Sequence, residues 1–60
     1  MVTNQCRLDL TKNDAELFME YLKENGLYFE PSENGKLVHF ECIMSDEEMA
    51  DANKWLEENL

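Results

Sequence analysis

The side chains whose spacing most suggests a chemical role are carboxylates. They recur at four- and seven-residue intervals, which bring side chains to one face of a helix. The first series is Glu16, Glu20 and Glu24, and the second is Glu47, Asp51 and Glu58, interrupted by Lys54. Like charges at this spacing destabilise a helix by about 0.2–0.5 kcal/mol per pair, so they indicate either a functional surface or a solvated face that only keeps the protein in solution.

The chain as a whole carries the same sign of charge. It has fourteen Asp and Glu residues against five Lys and Arg, which gives a formal net charge of −9. Such a surface repels nucleic acid and anionic membranes, so we expect neither as a direct ligand and expect a positively charged partner. Four residues of helix rise about 6 Å, which is on the scale of the spacing between successive phosphates, so the two series resemble a nucleic-acid backbone.

The other reactive side chains form no catalytic pattern. The single histidine, His39, has no nucleophile near it, and no phosphate-binding glycine loop or H-E-x-x-H motif occurs. Cys6 and Cys42 belong to no C-x-x-C pair, which favours reduced, buried thiols over a disulfide or zinc site. The acids at 46–48 and 51 lack the spacing and glycine of a calcium loop. We therefore expect no enzyme, no cofactor and no metal site.

The first half of the chain predicts a strand and a helix. Residues 5–10 alternate strictly between apolar and polar, as in a half-buried strand. Asn13 stands three residues before Glu16, a spacing similar to that of a capping box, and Gly26 provides a left-handed stop. A helix is therefore predicted over residues 14–25.

The dipeptide Asn34-Gly35 predicts a β-hairpin with those two residues at the centre of a type I′ turn. Pro31 cannot donate a ladder hydrogen bond, so the second strand should lie at an edge of the sheet. The turn fixes a register of seven pairs. On one face these are Glu33 with Lys36, Pro31 with Val38, Phe29 with Phe40 and Leu27 with Cys42, and on the other Ser32 with Leu37, Glu30 with His39 and Tyr28 with Glu41.

The last third of the chain predicts a second helix. Ser45 and Glu48 form a capping box, and Met44 with Met49 has the spacing of a hydrophobic staple, so this helix should run from residue 46 nearly to the end. The resulting order is β-α-β-β-α, an α+β fold with strand order 1-3-2 and both helices on one face. In topology alone it resembles a ferredoxin-like sandwich without its last strand, and residues 1–60 are expected to be one domain.

The spacing of apolar residues in each predicted element indicates a small core, with Trp55 at its margin. Trp55 is expected to cover the edge of the core, with a role as an aromatic anchor for a partner as the alternative. On the second helix, Met49, Ala52, Leu56 and Leu60 are predicted to face inward. The seven predicted core residues are Leu8, Phe18, Leu22, Phe29, Phe40, Met49 and Leu56.

These features predict an inhibitor or modulator that presents acidic helices to a basic protein surface, such as that of a nucleic-acid-binding protein. We expect it to be cytoplasmic, because no membrane span or signal peptide is recognisable, and to be encoded by a phage or mobile element. The alternative is a self-associating structural or regulatory domain, a homodimer formed through the free edge of strand one or the open sheet face with Tyr28, Leu37 and Ile43. The predicted partner-binding residues are Glu16, Glu20, Glu24, Glu47, Asp51, Trp55, Glu57 and Glu58.

Overall fold

The five predicted elements form in the predicted order. In a computed structural model, which describes residues 3–60, they are β1 (Thr3–Thr11), α1 (Lys12–Glu24), β2 (Tyr28–Asn34), β3 (Leu37–Ser45) and α2 (Asp46–Asn59). The sheet has the order β1-β3-β2, and β3 pairs antiparallel with both neighbours. The α+β fold and its central third strand are therefore confirmed.

The core lies between the sheet and the two helices. The central strand β3 contributes four successive inward side chains to it. The inward residues of the edge strand β1 are only partly buried, and on β2 Phe29 is partly buried while Pro31 and Glu33 on the same face are exposed. The buried residues are Ala15, Phe18, Leu22, Val38, Phe40, Cys42, Met44 and Ala52. Phe18, Leu22 and Phe40 were predicted here, while the other four predicted core residues, Leu8, Phe29, Met49 and Leu56, pack around this centre and stay partly exposed.

Helix α1 starts earlier than its sequence predicts, because β1 runs directly into it. Thr11, not Asn13, is the N-cap, and its hydroxyl accepts a hydrogen bond from the backbone N–H of Asp14 at 3.4 Å. The predicted stop is confirmed. Gly26 has φ +64°, and the N–H of Leu27 donates to the carbonyl of Leu22 at 2.9 Å, as in a Schellman motif.

The hairpin register differs from the prediction by two residues. Asn34 is still in β2, opposite Leu37, so the two loop residues are Gly35 and Lys36. Gly35 has φ +66°, and among the described residues only glycines have positive φ, so Lys36 does not. A type I′ turn needs positive φ at both loop residues, so this loop suits a turn with glycine at its first position instead. Every predicted hairpin pair is therefore wrong, and a shift by an even number leaves each side chain on its predicted face.

Helix α2 has the predicted N-terminus. The Ser45 backbone N–H donates to Glu48 Oε1 at 2.8 Å, and the Glu48 N–H donates to Ser45 Oγ at 3.2 Å, which completes the capping box. Leu60, predicted to face inward, is 44% exposed, because the helix ends at Asn59 beyond the edge of the core. Neither of the helices in residues 3–60 is long and apolar enough to cross a membrane.

Candidate functional site: the outer surface of the two helices

The first carboxylate series lies on the solvent side of α1. Glu16, Glu20 and Glu24 are all exposed. The opposite side of the helix carries the buried residues Ala15, Phe18 and Leu22, so the helix period separates the acids from the core. The predicted acidic line on this helix is thus present as an exposed row.

The six acids of α2 divide into two groups. Asp46 and Glu48 have structural partners, since Asp46 Oδ1 accepts a hydrogen bond from Asn4 Nδ2 at 2.6 Å and Glu48 closes the capping box. The other four are exposed, and within residues 3–60 none of them has an ion-pair or hydrogen-bond partner on its side chain. These are the predicted residues Glu47, Asp51, Glu57 and Glu58.

Aromatic side chains join the two helices between the acidic rows. The ring of Trp55 stacks on Tyr21, with ring centroids 4.9 Å apart and an interplanar angle of 29°, and it lies 5.8 Å from the ring of Phe18. Leu17, one turn before Tyr21 on α1, is 47% exposed. We call Leu17, Tyr21 and Trp55 the interhelical strip. The expectation that Trp55 covers the edge of the core is confirmed, because it packs against the buried cluster.

Two acids of α2 influence the hydroxyl of Tyr21 in the strip. The pKa of Tyr21 is raised above its usual value, first by burial and then by the negative charges of Asp51 and Glu48. Asp51, a member of the acidic row of α2, stands one turn before Trp55 on the same helix and so adjoins the aromatic stack. The strip is therefore an apolar floor with carboxylates beside it.

This arrangement suits one kind of ligand group. An Arg or Lys side chain can lay its apolar stem on aromatic rings, place its cation over a ring face and reach a neighbouring carboxylate. Tyr21 and Leu17 were not among the predicted site residues. Their spacing of four residues places them together at the margin of the inward-facing side of α1. A residue at that position is expected to contact a neighbouring helix, so this spacing could have identified them.

The open face of the sheet has a different charge pattern. Arg7 Nε lies 3.2 Å from Glu41 Oε1, and His39 Nδ1 lies 2.8 Å from Asp9 Oδ1. His39 is thus paired with Asp9 on β1 and not with Glu30, because the register differs. Two of the three acids on this face, Asp9 and Glu41, have a histidine or arginine partner, whereas Glu30, directly opposite Glu41, has no ion-pair partner within residues 3–60. The exposed acids of the helix rows have no such partner.

The exposed apolar residues of the sheet face do not form one patch. Tyr28, Leu37 and Ile43 are 54%, 40% and 49% exposed, as predicted. Tyr28 lies directly opposite Ile43. Leu37 is six residues away from Ile43 along β3, which corresponds to about 20 Å. Face-to-face stacking of two sheets would therefore bury two separate small apolar areas.

The two cysteines are neighbours in the sheet, which their separation in sequence did not reveal. Cys6 on β1 is directly opposite Cys42 on β3, and both are free thiols. Cys42 is buried, and burial, with a smaller effect of Cys6, raises its pKa to about 11. No group of three or more His, Cys, Asp or Glu residues is placed to hold a metal ion within residues 3–60.

Comparison with known proteins finds no family model, no curated sequence and no solved structure that matches this chain.

Proposed function

We propose that this protein is an inhibitor or modulator that docks its two acidic helices on a basic protein surface, such as the groove of a nucleic-acid-binding protein. One observation carries the proposal. Within residues 3–60 both ion pairs lie on the sheet face, while the exposed acids of the two helix rows have no ion-pair partner. A partner with Lys and Arg side chains would provide the missing cations.

The two rows and the interhelical strip have complementary roles in such a complex. Carboxylates at intervals of about 6 Å along a helix present charge in the manner of a phosphate backbone and speed the encounter with a cationic groove. Charge complementarity of exposed residues changes the association rate more than it changes the lifetime of the complex. The partly buried Trp55 and Tyr21 supply the apolar contact that slows dissociation.

The test begins with capture of a partner from the native host, which must then bind this chain as a purified protein. A matched pair of variants locates the surface. In Glu20→Gln/Glu24→Gln two exposed helix acids are neutralised, and in Glu30→Gln/Glu33→Gln two exposed acids of β2 are neutralised, so the net charge changes equally. We expect only the helix variant to weaken binding. Equal weakening would mean that total charge, not the helix surface, governs the interaction.

Kinetics then separate the acids from the strip. Asp51→Lys/Glu58→Lys should mainly slow association, with the effect largest at low salt, whereas Trp55→Ala should mainly speed dissociation. Competition by nucleic acid for the same partner tests the blocking mechanism. If both variants left the two rate constants unchanged, or if nucleic acid and this chain bound the partner together, the proposal would be wrong.

A further inference from the structure

The two edges of the sheet differ in their ability to accept another strand. β2 carries Pro31, which has no N–H to donate, at the middle of its seven residues. β1 is the other edge, is nine residues long and contains no proline. Within residues 3–60 no strand pairs with β1 on the side away from β3, so its backbone groups there are a template for a further strand.

The inward side chains of β1 also lack a neighbour on that side. Cys6, Leu8 and Leu10 pack against the core, yet all three are only partly buried, whereas their partners on β3, Cys42, Phe40 and Val38, are buried. The difference arises because β3 has a strand on each side and β1 has one. A strand added at the β1 edge would remove apolar area of these three side chains from water.

We propose that β1 pairs with β1 of a second copy of this chain, antiparallel and centred on Leu8, to form a six-stranded sheet. In this register Leu8 lies opposite its own copy, and Cys6 lies opposite Leu10 of the other chain. On the open face Arg7 lies opposite Asp9 of the other chain, and this pair occurs twice by symmetry. Apolar side chains thus meet apolar ones, and opposite charges meet.

Cross-strand chemistry selects this register over its neighbours. An antiparallel edge pairing that keeps the inward faces together must be centred on a single residue of β1. Centring on Arg7 or on Asp9 places like charges directly opposite each other, which is destabilising. Centring on Cys6 places Leu8 opposite the polar Asn4 and creates no charge pair. Only the Leu8 centre gives two attractive pairs.

The ion pairs already present within each chain extend this complementarity. Arg7 is bound to Glu41 and Asp9 to His39. The dimer would therefore carry two symmetric rows that read Glu41, Arg7, then Asp9 and His39 of the second copy. At long range two copies of charge −9 repel, so added salt should strengthen this dimer, whereas it should weaken the docking of acidic helices on a basic partner.

Two complementary charge variants test the register. Asp9→Arg makes both central positions positive, and Arg7→Asp makes both negative, so each variant alone should self-associate at least about tenfold more weakly than the parent. Mixed together, they should form a one-to-one heterodimer, because every cross-chain pair is again attractive. Analytical ultracentrifugation or native mass spectrometry gives the masses, and circular dichroism confirms that each variant is folded.

A cross-link provides a readout that does not depend on ion pairs. In a Cys6→Ser/Cys42→Ser background, Leu8→Cys should form an intermolecular disulfide on mild oxidation with oxidised glutathione, since residues directly opposite in antiparallel strands are within disulfide range. Arg7→Cys in the same background should cross-link much more slowly. A monomeric parent at high salt and millimolar concentration, a dimer that survives in both charge variants alone, or faster linkage through Arg7→Cys would each overturn the proposal.

Discussion

The helix surface and the open sheet face carry acids in two different environments. On the sheet face, Glu41 and Asp9 each have a partner, Arg7 and His39, within salt-bridge distance. On the helices, rows such as Glu16, Glu20 and Glu24 repeat one sign of charge at four-residue intervals and have no such partner within residues 3–60. Both surfaces are exposed and acidic, so composition alone does not account for the difference.

This difference indicates where the sequence departs from what stability favours. Paired charges on a sheet contribute a little to folding, whereas like charges along a helix oppose it. Removing a paired charge of the sheet face, such as that of Arg7, and removing a charge of a helix row should therefore have opposite effects on the free energy of unfolding. The effects are small because both surfaces are supported by one core, whose loss outweighs any change at the surface.

Truncation of Phe40 should have the largest effect, because it removes the support that both surfaces share. Phe40 is completely buried on the central strand and packs against Phe18, with ring centroids 5.3 Å apart. We expect Phe40→Ala to lower the free energy of unfolding by about 3–5 kcal/mol, which approaches the whole stability of a domain of this size. Chemical denaturation measured by circular dichroism checks this value.

The control for that experiment is Phe29→Ala. Phe29 contacts the same cluster from the edge strand β2 and remains partly exposed, so its truncation should cost clearly less. If the two variants were equally destabilised, or if Phe40→Ala melted within a few degrees of the parent, the description of β3 as the centre of the core would be wrong.

The sequence predicted the elements whose signals are local. The capping box at Ser45, the glycine stop at Gly26 and the alternation in β1 each involve residues within one turn or one strand, and all three were confirmed. Strand order followed from Pro31 and the connection rules and was also correct. For these features, local chemistry and tertiary structure favour the same conformation.

The register error arose where two overlapping dipeptides both suit a tight turn. Asn34-Gly35 suits a type I′ turn and Gly35-Lys36 suits a turn with glycine first, and both registers keep the same face of β2 inward. The choice between the two registers depends on how β3 pairs with β1 and β2, and that pairing involves residues far from the turn. The pairing of His39 with Asp9, the contact of Cys6 with Cys42 and the stacking of Tyr21 on Trp55 likewise depend on elements far apart in sequence.

Neutralising charges should give effects of opposite sign in the two regions. Glu16→Gln/Glu20→Gln/Glu24→Gln removes two repulsive pairs and should raise the free energy of unfolding by up to about 1 kcal/mol at low salt. Arg7→Gln, which breaks the pair with Glu41, should lower it by about 0.2–1 kcal/mol. Urea denaturation at low and high salt measures both, and the two differences should shrink as salt is added. Clear destabilisation of the triple variant would show that its acids have structural partners, and the comparison between the surfaces would fail.

The smallest expected effect concerns the pKa of Tyr21, which reports how close the acidic row of α2 lies to the interhelical strip. Burial raises this pKa most, and the charges of Asp51 and Glu48 raise it further. Asp51→Asn should therefore lower the pKa of Tyr21 without restoring its ordinary value. The measurement is the ultraviolet absorbance of tyrosinate in a Tyr28→Phe background, because the pKa of Tyr28 is raised as well.

The same shift gives a pH dependence with a definite sign. Since the folded state binds the Tyr21 proton more tightly than the unfolded chain does, its contribution to stability is present below the ordinary tyrosine pKa near 10 and is lost as the pH rises through the folded pKa. Asp51→Asn should make that alkaline loss smaller. Glu47→Gln, which neutralises an exposed acid of the same helix, is the matched control and should leave the tyrosine titration unchanged. An equal change in both variants would mean that Tyr21 responds to the general field of α2. Asp51 would then not be a specific neighbour of the strip, and a cation bound on Trp55 and Tyr21 would need a counter-charge other than Asp51.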